Sequence, residues 1–159
     1  MSQFENLKLA NQLCFALYAA TNAITRSYRG RLSRVGLTYP QYLVMMVLWE
    51  KDGVSIKEIS KQLHLDPATI TPLVKRLEAA NLLRRSRNEM DERVVNVYLT
   101  ITGRNIQSEV AEMQKAVACQ TGLEESEFIE LRSTLHHLVE TLSQNQPDAE
   151  EDDACALPR

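Results

Sequence analysis

Three cysteines, Cys14, Cys119 and Cys155, carry the most reactive side chains of this chain. Their spacing fits no metal-ligand pattern, and the three histidines lack cysteine or carboxylate partners at ligand spacing. We therefore expect no metal and no other cofactor. An odd cysteine count without a signal peptide favours the cytoplasm, where the environment is reducing and thiols react rather than form structural disulfides.

A second set of chemically useful residues lies between Val54 and Gly103, where the pattern predicts a helix–turn–helix followed by a β-hairpin. Ser55–Leu63 forms the first helix, and Asp66 caps a second helix that starts at Pro67 and runs to about Ala80. One face of the second helix is apolar, and the other carries hydroxyls and cations, namely Thr69, Thr71, Lys75 and Arg76. Such side chains reach base edges and phosphates in the major groove, so we expect them to bind DNA.

The hairpin consists of two strands, Leu82–Arg87 and Val94–Thr100, with a polar loop between them. Asp91 can hold Arg93 extended through a charged hydrogen bond, and an arginine at a hairpin tip suits a narrow minor groove. A helix–turn–helix with such a hairpin is a winged helix, so the expected fold class is mainly α with a small β-wing. A plain helical domain with a solvated charge run is the alternative, but the whole series favours double-stranded DNA as partner.

The net charge of −3 is unevenly distributed along the chain. Residues 1–56 and residues 57–104 each carry a net charge of +3, whereas residues 105–159 carry −9. The predicted DNA-binding segment is therefore locally basic.

Helical patterns flank the winged helix, from Leu7 to about Arg34, from Thr102 to Cys119 and from about Ser126 to Leu142. A shorter apolar helix, Gln41–Glu50 with Thr38 as N-cap, should form the core. The flanking apolar stripes exceed what one winged helix can cover, which predicts a homodimer.

The predicted winged-helix domain spans residues 1–143. Within it, residues 5–35 and 102–143 form dimerisation helices and residues 54–100 form the DNA-binding lobe. Residues 144–159 read as an acidic disordered tail. No apolar run is long enough to span a bilayer, so we expect no membrane partner.

Several segments are specific when taken together: Asn11–Tyr18, Tyr28–Gly30, Leu37–Tyr42, Leu65–Leu73 and Asp91–Arg93. Through them the chain, up to about Leu142, resembles the MarR family of dimeric winged-helix regulators, and most closely its organic-hydroperoxide-sensing branch, OhrR. The resemblance implies that Cys14 is the peroxide-sensing thiol and that Tyr28 and Tyr39 hydrogen-bond it. It also implies that Cys119 resolves the sulfenic acid, as in the two-cysteine subclass, although Cys155 in the tail is a second candidate. The family represses a peroxidase gene. Asn81 replaces the glycine that usually follows the recognition helix, and asparagine tolerates the left-handed conformation nearly as well.

The spacing of the tyrosines constrains this implied role. Tyr28 is fourteen residues from Cys14 on one predicted helix, about 21 Å along its axis, so it can support only the thiol of a partner subunit. Tyr18, four residues on, can cover Cys14 within the chain. Without the resemblance, Cys14 would be interpreted as a small buried core residue.

Three functions remain open. The first is a repressor released when an organic hydroperoxide oxidises Cys14 and an intersubunit disulfide with Cys119 follows. The second is a MarR-type regulator released by a small aromatic ligand, with Cys14 inert. The third is a thiol peroxidase, disfavoured because Cys14 has no basic residue near it in sequence. We therefore do not expect an enzyme.

Overall fold

The computed structural model describes residues 4–88, 90–91 and 93–145, and these fall into two compact units, one ending at Gln120 and one beginning at Thr121. The first unit contains α1 (Leu13–Leu32), α2 (Tyr39–Glu50), β1 (Val54–Ser55), α3 (Ile56–Leu63), α4 (Pro67–Ala79), β2 (Leu83–Arg87), β3 (Val95–Leu99), α5 (Ile101–Asn105) and α6 (Gln107–Gln120). The second contains α7 (Glu125–Gln144). The expected fold class, mainly α with a small β-wing, is confirmed.

The first helix is shorter than the sequence predicted. Residues Glu5–Leu7 and Leu9–Asn11 are 3₁₀ turns, and Gln12 is extended, so α1 begins at Leu13 rather than Leu7. The side-chain amide of Gln12 donates to the carbonyl of Asn6, and that of Asn11 donates to the carbonyl of Glu5. Amide side chains that bond nearby carbonyls compete with helix formation, which apolar periodicity does not reveal.

The helix–turn–helix forms as predicted. Ser55 caps α3 by accepting from the Glu58 amide at 3.1 Å, and Asp66 caps α4 by accepting from the Ala68 amide at 2.7 Å. Pro67 occupies the first turn of α4, where its missing N–H leaves no bond unmade. Both helices pack on α2, which is buried at Val44, Met45 and Leu48 and forms the expected core behind the DNA-reading helix.

The wing is a three-stranded antiparallel sheet in the order β1-β3-β2. The hairpin strands match their predicted positions, but the sequence did not predict β1. Val54 pairs with Val97, and Gly53 donates to the Val97 carbonyl at 3.1 Å. A two-residue strand is too short for alternation to be visible. Asn81 adopts φ 56°, so the left-handed conformation expected there is confirmed.

The predicted helix Thr102–Cys119 is divided into α5 and α6 at Ile106. The indole N–H of Trp49 donates to the Gly103 carbonyl at 2.9 Å. In a continuous helix that carbonyl would accept from the Gln107 amide. A long-range side-chain contact therefore competes with the helical ladder, and no local pattern could reveal it.

Apolar faces of α1 and α7 lie open. Within α1 only Tyr28 and Leu32 are buried, and its exposed large side chains include Leu13, Phe15, Tyr18 and Ile24. Considered by itself, α7 has no buried residue and exposes Ile129, Leu131, Val139 and Leu142. No described helix is long and apolar enough to cross a bilayer. The acidic tail was predicted over residues 144–159, but Gln144 is the last residue of α7, and residues 146–159, with Cys155, lie outside the described residues.

Candidate nucleic-acid interface and thiol sites

The exposed face of α4 carries most of the residues assigned to DNA binding from the sequence. Thr69, Lys75 and Arg76 are exposed, while Ile70, Val74 and Leu77 on the opposite face are buried at 0%. Thr71 is half-buried, and its hydroxyl donates to the Pro67 carbonyl at 2.8 Å, which leaves only its oxygen lone pairs for a ligand. The helix therefore presents two cations and one fully available hydroxyl to solvent.

A hydrogen bond between Asp91 and Arg93 shapes the tip of the wing. Asp91 accepts from the backbone N–H of Arg93 at 3.0 Å, and no ion pair found between described residues joins the two side chains. The predicted hydrogen bond between Asp91 and Arg93 is thus present, and its donor is the backbone N–H of Arg93. A turn in which an aspartate bonds a backbone amide two residues on is favoured locally. Asp91 therefore shapes the loop, and the exposed guanidinium of Arg93 remains available.

Sequence reasoning missed two contacts of the wing strand β2. Glu78, in the last turn of α4, accepts from Arg85 Nε at 2.7 Å and from the Arg85 backbone N–H at 3.1 Å. The side-chain hydrogen bond from Arg85 lowers the pKa of Glu78. The neighbouring Arg84 stacks on Tyr98, with its guanidinium carbon 4.5 Å from the ring centroid. Arg84 and Tyr98 are cross-strand partners, which depends on the hairpin register, and the Glu78–Arg85 pair joins a helix to a strand.

A polar joint ties the wing to α5. Asp52 accepts from the Leu99 backbone N–H at 2.8 Å and forms an ion pair with Arg104. A Cβ on Gly103 would lie 2.0 Å from the Leu82 carbonyl oxygen, so only glycine allows α5 to approach so closely. Together with the Trp49 hydrogen bond, these contacts attach the start of α5 to the DNA-binding lobe.

Cys14 lies in the first turn of α1 and is exposed, with a free thiol. This differs from the mid-helix position on a long stripe that the sequence predicted. The backbone N–H groups of a first turn have no partner within the helix, and the positive end of the helix dipole favours negative charge there. Since the thiolate is the nucleophilic form of cysteine, the start of α1 is a suitable place for thiol chemistry.

Three tyrosines cluster where α1 meets α2. The ring centroid of Tyr28 lies 5.3 Å from those of both Tyr39 and Tyr42. Burial, followed by the proximity of Tyr28, raises the pKa of Tyr39, and burial most strongly raises the pKa of Tyr42, which is also hydrogen-bonded to Tyr28. Tyr39 and Tyr42 therefore keep neutral hydroxyls, which can donate hydrogen bonds.

The tyrosine cluster lies far from Cys14 of the same chain. Tyr28 and Cys14 lie on one continuous helix, about 21 Å apart along the axis. The structure thus does not bring the two together within a chain. Tyr18, one turn beyond Cys14, is 66% exposed.

Cys119 is also free and exposed, near the end of α6. Arg31, near the end of α1, donates to the Gln120 side chain at 3.5 Å, so Cys119 lies close to the end of α1 opposite to Cys14. Arg31 is seventeen residues beyond Cys14 on that helix, about 26 Å along the axis. A disulfide requires Cα atoms within about 7 Å, so the two thiols of one folded chain cannot bond.

Two further features bear on ligands. A groove of about 400 Å³ between α2 and α6 is lined mainly by apolar and aromatic groups, among them Tyr42, Met46, Trp49 and Val110. In the part of the chain that the structure describes, no cluster of histidine, cysteine and acidic residues is suited to hold a metal ion.

Comparison with known proteins places this geometry in context. A family model described as transcriptional regulator SarA/Rot matches residues 27–110. The HTH-type transcriptional regulator TtmR of Methylorubrum extorquens is 50% identical over 115 residues, which cover 72% of this chain and 59% of TtmR. The organic hydroperoxide resistance transcriptional regulator of Bacillus subtilis is 37% identical over 143 residues, covering 90% of this chain and 97% of that protein.

Solved structures of AbfR from Staphylococcus epidermidis have the same fold. Reduced AbfR bound to DNA matches with a TM-score of 0.74 and 33% identity, covering 91% of this chain and 98% of that chain. Disulfide-formed AbfR matches with a TM-score of 0.61 and 33% identity, covering 88% and 93% of the two chains.

Proposed function

Because the chain belongs to the MarR/SarA-type winged-helix transcriptional regulators, we propose that it is a DNA-binding repressor that releases its operator when an organic hydroperoxide oxidises Cys14. The observation that carries the proposal is a free, exposed thiol in the first turn of α1, a helix whose apolar face the described chain leaves open. The Bacillus subtilis relative named for organic hydroperoxide resistance supports the class of signal.

The working unit is a homodimer bound to double-stranded DNA in the cytoplasm. The exposed apolar side chains of α1 and α7 supply surface for a partner chain. Two copies of α4 then enter successive major grooves about one helical turn apart, with Thr69, Thr71, Lys75 and Arg76 facing the DNA. Arg93 of each wing extends toward the minor groove, shaped by Asp91.

The dimer also gives the tyrosines their role. Tyr28 lies about 21 Å from Cys14 of its own chain, so it and Tyr39 donate hydrogen bonds to the Cys14 thiolate of the partner subunit. Burial raises the pKa of Tyr39, so its hydroxyl keeps the proton that it donates to an anion. Tyr18, exposed one turn beyond Cys14, covers the same thiol from within the chain.

The chemistry balances in two steps. The Cys14 thiolate attacks the outer oxygen of the hydroperoxide, the O–O bond breaks, and the alkoxide takes a proton to leave as an alcohol, so Cys14 becomes a sulfenic acid. The Cys119 thiol of the partner then attacks the Cys14 sulfur, the S–O bond breaks, and water leaves as the disulfide forms. The new bond moves α1 and α6, changes the spacing of the two α4 helices and weakens DNA binding. Each subunit reacts once, as a switch rather than an enzyme.

A DNA mobility-shift assay with the reduced protein, titrated with an organic hydroperoxide and then with a reductant, tests this function. Release of the DNA by the oxidant and its recovery after reduction would support the proposal. DNA binding that is unaffected by stoichiometric hydroperoxide would contradict it.

The α2–α6 groove favours a second candidate, a regulator released by a small aromatic ligand. In that case an aromatic acid would release the DNA from protein whose thiols have been alkylated. The hydroperoxide mechanism predicts that the alkylated protein stays bound to DNA in the presence of either the aromatic acid or the hydroperoxide.

A further inference from the structure

One contact links the recognition helix directly to the wing. The Glu78 carboxylate lies 2.7 Å from Arg85 Nε, 2.6 Å from an Arg85 terminal nitrogen and 3.1 Å from the Arg85 backbone N–H. Glu78 belongs to the last turn of α4, and Arg85 is the central residue of β2. Both guanidinium nitrogens contact Glu78 Oε2, and the backbone N–H donates to Glu78 Oε1. Three contacts fix the orientation of the pair as well as its distance, whereas a single point charge fixes only distance.

The backbone contact adds to this specificity. Strand β2 is an edge strand, paired only with β3 in the described sheet, and Arg85 lies opposite Val97. An edge strand leaves N–H groups without a sheet partner. Glu78 accepts hydrogen bonds from the backbone N–H and from the side chain of Arg85, so it holds the β2 backbone at a defined position relative to α4.

The other arginines of β2 are in different situations. Arg84 stacks on Tyr98 on the opposite side of the strand, and both Arg84 and Arg87 are exposed. Arg85 instead directs its guanidinium at a carboxylate, and the side chains of Arg85 and Glu78 are each 33% exposed. The carboxylate offsets the charge of the Arg85 guanidinium and engages two of its nitrogens, so Arg85 is a weaker phosphate ligand than Arg87, for which no ion pair is found between described residues.

We propose that Glu78 and Arg85 are positioning residues that lock the angle between α4 and the wing, so that helix and wing enter their grooves together, and that Arg87 instead supplies a phosphate contact. The inference rests on the DNA binding proposed above and not on the redox step. Arginines of a basic strand are usually expected to contact DNA, whereas Arg85 of β2 contacts the Glu78 carboxylate of the protein.

The test is DNA affinity as a function of salt for reduced Glu78→Gln, Arg85→Lys, Arg85→Gln and Arg87→Gln proteins. Glu78→Gln removes a negative charge from a DNA-binding lobe, which by charge alone strengthens binding. If the pair acts by positioning, the affinity should instead fall by about tenfold, and the slope of log affinity against log salt concentration should not change. Arg85→Lys keeps the charge but loses one of the two side-chain nitrogen contacts, so it should weaken binding to a similar extent. Arg87→Gln should reduce the slope by about 1 per protomer.

A double-mutant cycle and a control complete the design. Glu78→Gln combined with Arg85→Gln should bind no more weakly than either single variant, because the two residues act as one unit. Glu112→Gln removes the same charge from an exposed pair on α6 and should bind DNA like the wild type. Thermal melting checks that each variant folds. We expect every variant to fold, because the Glu78 and Arg85 side chains are partly exposed and an exposed ion pair contributes little to stability.

Three results would overturn the inference: tighter binding by Glu78→Gln, wild-type binding by Arg85→Lys, or a lower salt slope in Arg85→Gln together with additive effects in the double variant. Each would show that the charges of these residues, and not the geometry of the pair, determine DNA binding. Wild-type protein that binds no DNA at all would instead refute the proposed function, so the two failures are distinguishable.

Discussion

Arg31 and Gln120 meet at 3.5 Å, near the C-terminal ends of α1 and α6. This contact places Cys119 at one end of α1, while Cys14 occupies the first turn at the other end. Arg31 lies about 26 Å from Cys14 along α1, which excludes a bond between Cys14 and Cys119 of one folded chain. Any disulfide between these positions must therefore join two subunits, which ties the proposed redox chemistry to the dimer.

Oxidised protein is accordingly expected to run as a covalent dimer on a non-reducing gel. Peptide mapping should identify Cys14 of one chain bonded to Cys119 of the other. Cys119→Ser should still lose its Cys14 thiol to peroxide but form no dimer, and its sulfenic acid should over-oxidise more readily. If Cys119→Ser forms the dimer normally, Cys155 is the resolving thiol. A disulfide found within a monomer would contradict the assigned geometry.

Arg93→Ala should weaken DNA binding by about 1–3 kcal/mol without changing the melting temperature, because its guanidinium is exposed and no described ion pair engages it. Arg132→Ala, an exposed arginine of α7, is the matched control. Fluorescence anisotropy with labelled operator DNA measures both variants. Equal affinity of Arg93→Ala and wild type would mean that the hairpin does not act as a wing.

The tyrosine cluster should make the protein sensitive to alkali. The pKa values of Tyr39 and Tyr42 are raised above their ordinary value of 10.0 by burial, so the folded state favours the neutral phenols. Their contribution to stability is complete below pH 10, because both states are then protonated, and it is lost as the pH rises further and the unfolded chain ionises first. Melting temperatures should therefore fall above pH 10.

Single tyrosine substitutions test whether the buried tyrosines cause the alkaline fall in melting temperature. Tyr42→Phe removes one ionising group of the cluster and should flatten the alkaline fall in melting temperature. Tyr18→Phe, in which the replaced ring is 66% exposed, should leave the pH profile unchanged. Identical profiles for Tyr42→Phe and wild type would assign the alkaline loss to other groups.

Gly103→Ala should destabilise the fold by about 1–3 kcal/mol, because the added Cβ would meet the Leu82 carbonyl at 2.0 Å. Gly30→Ala is the matched control, since a Cβ at Gly30, also in a helix, meets no atom within 4 Å. Chemical denaturation gives both free energies of unfolding. A Gly103→Ala protein as stable as wild type would show that the joint between α5 and the lobe relaxes easily.

How far the sequence predicted this structure depends on the range of the forces involved. Caps and turn residues act locally, so Asp66, Pro67 and Asn81 could be placed correctly from their types alone. The apolar stripe of α4 likewise followed from its period. These local rules were enough for the winged helix and for the exposed side chains of α4 that we propose to face DNA.

The sequence-based predictions were incomplete where a distant or competing polar contact determines the geometry. Gln12 bonds a nearby carbonyl and delays the start of α1 to Leu13, and the Trp49 indole donates to a carbonyl of α5 from 54 residues away. The Glu78–Arg85 pair spans a turn between two element types, where neither periodicity applies. Asp91 was correctly placed in the hairpin tip, but its partner is a backbone amide and not a side chain.

The central claim is that oxidation of Cys14 is what releases DNA. The most direct measurement is a mobility-shift assay on wild type, Cys14→Ser and Cys119→Ser, each with and without an organic hydroperoxide. We predict that all three reduced proteins bind the operator with similar affinity and that the hydroperoxide releases the wild type but not Cys14→Ser. Release of Cys14→Ser by the hydroperoxide would contradict the claim and leave the aromatic-ligand mechanism as the better account.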